Sequence, residues 1–413
     1  MGAYVKYLLY IIIQLPEILH RMGFLYEMFE LLRRMRRGRM ECSDVDDKQK
    51  APAMLLNKMD LAILRQKFRG SILGALSGDC LGSAYEGDPP MTPGNTVILQ
   101  KRFDTLEGVD FKAPVIPFTD DSAMTRDISQ SLIDKGDLDL LDLAKKFVKS
   151  FYQEPNRGYG AGVIVVFEKL RGNKFTDLEG PAREQFNGQG SLGNGAAMRV
   201  SPVSLFCHNN YDRLVNMARR QAMLTHTHKD GINGAILQAI AIEKTISLDP
   251  NQKLDTKAFI DDLIDKMNDI EKDDEEFLER EESVVKPYKA QLTRMKKMIK
   301  KSVKNSKRLD VEEVVINLGT SLRAVHSVPT AIFCFLYAQN PIQGINTENP
   351  FRRAIQYAMT LGGDTDTIAS MAGAMAGAYY GDGRINSNML THCECSENFT
   401  KLADHLFDIV HKH

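Results

Sequence analysis

The chain has 413 residues, enough for a large core or two domains. With 43% hydrophobic and 26% charged residues and a net charge of -1, the composition is that of an ordinary globular protein. It carries no global basic signal for nucleic acid, so an anionic ligand must be held by local groups. The six cysteines (Cys42, Cys80, Cys207, Cys334, Cys393 and Cys395) form neither a zinc spacing nor a dense disulfide framework. A reducing compartment is expected, with Cys393 and Cys395 as ordinary thiols.

The first fifty residues differ from the rest. Tyr4 to Leu15 is mostly apolar but shorter than the roughly 20 residues a membrane span needs. The segment after it ends in Arg33, Arg34, Arg36, Arg37 and Arg39. An Arg-rich amphipathic leader points to organelle import or a membrane-surface helix. Glu17, Glu27 and Glu30 interrupt it, and an upstream start with Met54 or Met59 nearer the true beginning is a further reading. The polar stretch Glu41 to Lys50 marks the boundary. The expected organisation is a poorly ordered extension over residues 1–55 and one domain over residues 56–413.

From Leu61 an apolar-periodic stretch runs through Gly70, Gly74 and Gly78, whose small residues allow close helix approach. It leads to Glu86, at the mouth of a Gly/Pro loop (Asp88, Pro89, Pro90, Pro93, Gly94). A carboxylate there is either solvated or a catalytic group on a loop. Thr119, Asp120 and Asp121 then open a helix that continues through Ile128 and Leu132. Two Gly-rich segments come next, Asn156 to Gly162 and Phe186 to Arg199. Glycines let backbone N–H groups approach a phosphate, and a following helix N-terminus adds its dipole. Neither segment is a Walker or Rossmann fingerprint.

In Leu224-Thr225-His226-Thr227-His228 the spacing is not that of a helical metal-binding pair; hydrogen bonding by His226, at the surface or to a ligand, is expected. Residues 269–308 read as a solvated charged hairpin. Within Val311 to Tyr337, Pro329 should start or kink a helix. Last come Gly362-Gly363-Asp364-Thr365-Asp366-Thr367 and a small-residue run, Ser370 to Ala378, which reads as a buried helix. Alone, this turn is also a helix N-cap with acidic first-turn residues. Together with Thr119-Asp120-Asp121 it supplies carboxylate and hydroxyl oxygens that suit one or two Mg²⁺ ions better than zinc. Strand signals are sparse. The expected fold is all-α, a compact orthogonal multi-helix bundle around a dinuclear Mg centre.

From about residue 62 onward the chain resembles the ADP-ribosylhydrolases related to dinitrogenase-reductase-activating glycohydrolase. The motifs that carry the resemblance are GDCLGSAYEG, FTDDSAM, RGYGAG, QFNGQGSLGNGAAMRV, LTHTH, SVPTAIFCF and TLGGDTDTIASMAGAMAGAYYG, in family order. The resemblance implies two Mg²⁺ ions on Thr119, Asp120, Asp121, Asp364, Asp366 and Thr367, with Asp366 between them. It implies Glu86 as the catalytic glutamate on a mobile flap. Gly158, Gly160, Gly190 and Ser191 would hold a diphosphate, His226 would lie on the ligand, and Phe186 would pack on adenine. Where a close relative in that family has an aromatic residue after the serine that stacks on adenine, this chain has Leu192, which weakens the stacking.

The implied activity is cleavage of the O-glycosidic bond at C1″ of ADP-ribose. The implied partners are serine-ADP-ribosylated proteins and poly(ADP-ribose), with no direct nucleic-acid binding and no membrane span. Rival expectations on the same scaffold are hydrolysis of ADP-ribosyl-arginine and non-catalytic ADP-ribose binding. A monomer in the nucleus and cytoplasm is expected, with the mitochondrial matrix as a further compartment.

Overall fold

Glycines 70, 74, 78 and 82 recur every fourth residue and therefore lie in one stripe down a helix. The computed structural model describes residues 45–112, 114–272, 286–305 and 309–412. The chain divides into two units, Met1–Leu61 and Ala62–His413. The expectations for the leader through residue 44 lie outside the described residues, while residues 45–50 of the expected linker are helical. The second unit carries every residue expected at the site.

The helices that build the site are α1 (Val45–Gly82), α2 (Asp120–Lys135), α3 (Ala161–Gly172), α4 (Lys229–Ile246), α5 (Ala324–Tyr337), α6 (Pro350–Thr360) and α7 (Thr365–Tyr380). No strand occurs among the described residues; three isolated bridges join loops, one of them Gly193 to Arg323. The all-α class expected from the sequence is the class observed.

The glycine stripe of α1 sets the centre of the core. A Cβ on Gly70, Gly74 or Gly78 would stand 2.2, 2.1 or 2.1 Å from the carbonyl oxygen of Gly377, Gly373 or Ala369. One on Gly82 would stand 2.6 Å from the Cα of Asp366. Numbers rise along α1 as they fall along α7, so the two helices pack antiparallel, backbone against backbone. Every residue of α7 from Thr365 to Tyr379 is buried, with α4, α5 and α6 packed around it. The consequence for function is one of register. The contact that brings Gly82 to Asp366 also brings the end of α1, with Asp79 and Glu86, to the acidic start of α7.

Pro329 lies inside α5 rather than at its start. A proline there frees the carbonyl four residues earlier, that of Val325. The Gln291 side chain donates to that carbonyl at 3.2 Å, which lets the helix continue. Gln291 sits on Pro287–Asn305, the basic half of the charged segment. That half is not merely solvated. It buries Tyr288, Leu292 and Met295, and Glu271 accepts the backbone N–H of Tyr288 at 2.9 Å and of Lys289 at 3.1 Å.

Candidate active site

A helix N-cap aspartate normally turns its carboxylate back onto its own backbone. Asp364 holds the N-cap position of α7, yet its side chain makes no capping hydrogen bond. Its carboxylate instead accepts from the Asn194 amide, which also donates to Ser327 Oγ at 2.9 Å. It faces Asp366 and Glu86: one oxygen of each of these three carboxylates lies within 4.8 Å of the others. Asp366 Oδ1 accepts the Thr367 N–H at 2.8 Å.

The second acidic turn meets the first through hydroxyls. Thr119 caps α2, and its Oγ1 stands 3.3 Å from Asp121 Oδ2; Thr367 Oγ1 on α7 donates to the same oxygen at 3.3 Å. Asp121 Oδ1 is buried and has no hydrogen-bond partner among the described residues. Asp79 fixes the whole turn from the end of α1. Its carboxylate accepts from the Thr119 N–H at 3.1 Å, the Thr119 hydroxyl at 2.8 Å and the Ser122 N–H at 3.0 Å.

The electrostatics are those of a site built for a cation. Burial and four neighbouring carboxylates hold Asp121 well above its ordinary range. The same causes raise Asp364 well above it and push Asp120 up to about 8. Asp79 rises to about 7, chiefly through burial. Glu86 is raised by partial burial and then by Asp366. Such a cluster is unfavourable without positive charge. The orphaned Asp121 oxygen, the Asp364–Asp366 contact and the all-oxygen donor set fit a hard divalent cation.

The loop that carries Glu86 is stitched to the acidic turn: the Gly87 N–H donates to Gly363 O, and the Gly363 N–H donates to Asp88 O, both at 2.8 Å. Gly363 has a left-handed φ of 75°, and a Cβ there would strike Thr320.

The glycine segments form the far wall. Gly158 and Gly190 adopt left-handed φ values of 87° and 74°, and a Cβ at Gly190 would lie 2.2 Å from Thr227 Oγ1. Gly160 begins α3 with no side chain capping it, so the helix N-terminus opens on the cavity. Phe186 has a left-handed φ of 51° and an exposed ring. His226 is buried, and His228 caps α4 by accepting the Asp230 N–H at 3.1 Å.

Glu86, Thr119, Asp120, Asp121, Gly158, Gly160, Phe186, Gly190, Ser191, Leu192, His226, Asp364, Asp366 and Thr367 all line one cavity of about 550 Å³. Sequence reasoning missed three residues that hold this arrangement: Asp79, Asn194 and Arg199. Two left a signal. Asp79 is the only charged residue between Arg69 and Glu86, and Arg199 is the only Asp, Glu, Lys or Arg between Glu184 and Asp212. Asn194 looked like one more turn residue in a glycine run.

Residues 60–413 match the family model described as ADP-ribosylglycohydrolase. The chain is 39% identical over 345 residues to mouse ADP-ribosylhydrolase ARH3, covering 82% of this chain and 90% of that protein. It is 40% identical over 328 residues to the Xenopus tropicalis protein of the same name, covering 78% and 89%. A solved chain from an ADP-ribosylglycohydrolase-related protein complex shares the fold at 19% identity, with a TM-score of 0.52 over 84% of this chain and 99% of that one.

Proposed function

The chain belongs to the ADP-ribosylglycohydrolase family, and from that premise we propose that it is an ADP-ribosylhydrolase, dependent on two Mg²⁺ ions, that cleaves O-linked ADP-ribose at C1″. The observation that carries the reading is the uncapped Asp364, turned with Asp366 and Glu86 toward a cavity whose opposite wall is made of glycines and a helix N-terminus.

Thr119, Asp120, Asp121, Asp364, Asp366 and Thr367 would hold the metal ions, which when bound would grip ribose hydroxyls and lower the pKa of a water. The protein's own groups do the rest. Gly158, Gly160, Gly190 and Ser191, with the start of α3, offer backbone donors to the diphosphate. The exposed Phe186 ring offers a face to adenine, and Leu192 adds area without a π-system. Glu86, on its loop beside Asp364 and Asp366, is the carboxyl group placed to move a proton. It can protonate the oxygen that leaves C1″ as water adds to that carbon, and take back the proton that the added water gives up, releasing ADP-ribose and an intact serine hydroxyl.

The test is incubation with a serine-ADP-ribosylated peptide, with and without Mg²⁺. Metal-dependent release of intact ADP-ribose is expected. Tight ADP-ribose binding without release, from a metal-loaded sample, would instead favour another linkage or a non-catalytic binder. We extend the proposal to poly(ADP-ribose) as a second substrate, and to a monomer in the nucleus and cytoplasm with the mitochondrial matrix as a further compartment. Sedimentation tests the oligomeric state and cell fractionation the compartment. No described helix is long and apolar enough to cross a membrane.

A further inference from the structure

Arg199 is fully buried and forms no ion pair among the described residues; Asp120 is the carboxylate whose charge reaches it. Its guanidinium donates to Gln221 Oε1 at 2.9 Å, to the Gln221 carbonyl at 3.0 Å and to Thr225 Oγ1 at 2.8 Å, and it lies over the Phe147 ring. Thr225 Oγ1 in turn is 2.7 Å from His226 Nδ1.

The direction of this relay is set by what each group can do. A guanidinium only donates, so the threonine oxygen accepts from Arg199. The threonine hydroxyl has one proton, and among the described residues its only acceptor within bonding distance is His226 Nδ1. Nδ1 therefore accepts, and the imidazole proton resides on Nε2. That nitrogen faces the glycine wall. A Cβ at Gly195 would stand 3.2 Å from it and one at Gly193 3.4 Å, so the glycines keep it open to the cavity.

We propose that Arg199 and Thr225 are positioning residues that lock His226 as the neutral Nε2–H tautomer, and so make it a fixed donor to an oxygen of a nucleoside-diphosphate ligand. The ligand half of this inference rests on the function proposed above; the tautomer half does not. The opposite tautomer would present a lone pair to the same oxygen, which repels a phosphate or a ribose oxygen lone pair.

The experiment uses the full chain labelled with ¹⁵N-histidine, with His226→Gln to assign the signal. Wild type should show a pyridine-type Nδ1 and a pyrrole-type Nε2–H. Thr225→Val, which keeps the shape and removes the hydroxyl, should give a mixture of tautomers; Thr225→Ser should restore the wild-type pattern. By calorimetry with Mg²⁺, ADP-ribose affinity should fall about tenfold in Thr225→Val and stay within about twofold in Thr225→Ser. A proton on Nδ1 in wild type overturns the proposal, even if the valine variant fails to fold. So does a folded Thr225→Val with unchanged tautomer and affinity. The predicted tautomer in a wild-type protein that does not bind ADP-ribose would uphold the relay and remove the ligand reading instead.

Discussion

Asp366→Asn should change the sign of its effect on stability according to whether Mg²⁺ is present. In the metal-free protein, one oxygen each of Glu86, Asp364 and Asp366 lie within 4.8 Å of one another. At an effective dielectric of 20, two unit charges at that separation repel by about 3.5 kcal/mol. The full sum is not realised, because paired carboxylates escape by retaining a proton and Glu86 is screened by solvent. Neutralising Asp366 should therefore stabilise the metal-free protein by about 1–2 kcal/mol. The asparagine Oδ1 can still accept the Thr367 N–H that Asp366 accepts at 2.8 Å, so no backbone bond is lost.

With Mg²⁺ at about a hundred times its dissociation constant, the wild type gains about 2.7 kcal/mol by linkage. For a unit of about 350 residues, 1 kcal/mol corresponds to about 1.4 °C in melting temperature. The wild type should then melt about 4 °C higher in Mg²⁺ than in EDTA. The variant should melt about 1–3 °C above wild type in EDTA and gain little from Mg²⁺. The assay is thermal unfolding at neutral pH under both conditions. Equal destabilisation of the variant in EDTA and in Mg²⁺ would falsify the ligand role and leave Asp366 a helix-start residue.

Glu86→Gln should keep ADP-ribose affinity within about threefold and lose about 10²–10⁴ in turnover, the usual contribution of a positioned acid; near-normal turnover would remove the assignment. Gly74→Ala puts a Cβ 2.1 Å from the Gly373 carbonyl, backbone against backbone. It should cost about 3 kcal/mol in urea unfolding, and a neutral effect would mean that α1 and α7 do not pack backbone against backbone at this point. Leu192→Phe should strengthen ADP-ribose binding severalfold, about 0.5–1.5 kcal/mol, if its ring reaches adenine; calorimetry decides. Burial, then Arg199, pushes the His226 pKa down to about 3 from an ordinary 6.5. Below pH 6.5 the unfolded chain binds a proton that the folded one does not. Stability should thus fall on acidification below pH 6.5, by up to about 1.4 kcal/mol per pH unit from this group. His226→Gln should flatten that slope in denaturant titrations at pH 5–7, and an unchanged slope would show that His226 titrates normally.

The class of the fold and the chemistry available to it were legible in the chain alone. Apolar spacing and missing strand patterns specify helices. The two Thr/Asp turns, the glycine segments and the small-residue run specify oxygen ligands, backbone donors and one close-packed helix. These signals are local, because helix period, capping and glycine freedom act over a few residues. Pairing depends on groups distant in the chain. That Gly82 packs on Asp366 is fixed by a backbone contact over 283 intervening residues, and the meeting of Glu86 with Asp364 is its consequence. The departure of Asp364 from its cap to face Asn194 emerges in the folded chain, since the isolated turn reads equally well as an N-cap. The roles of Asp79 and Arg199 were likewise undecided. A single charged residue in an apolar run has no chemistry until its partners are known, and those partners are supplied by other helices.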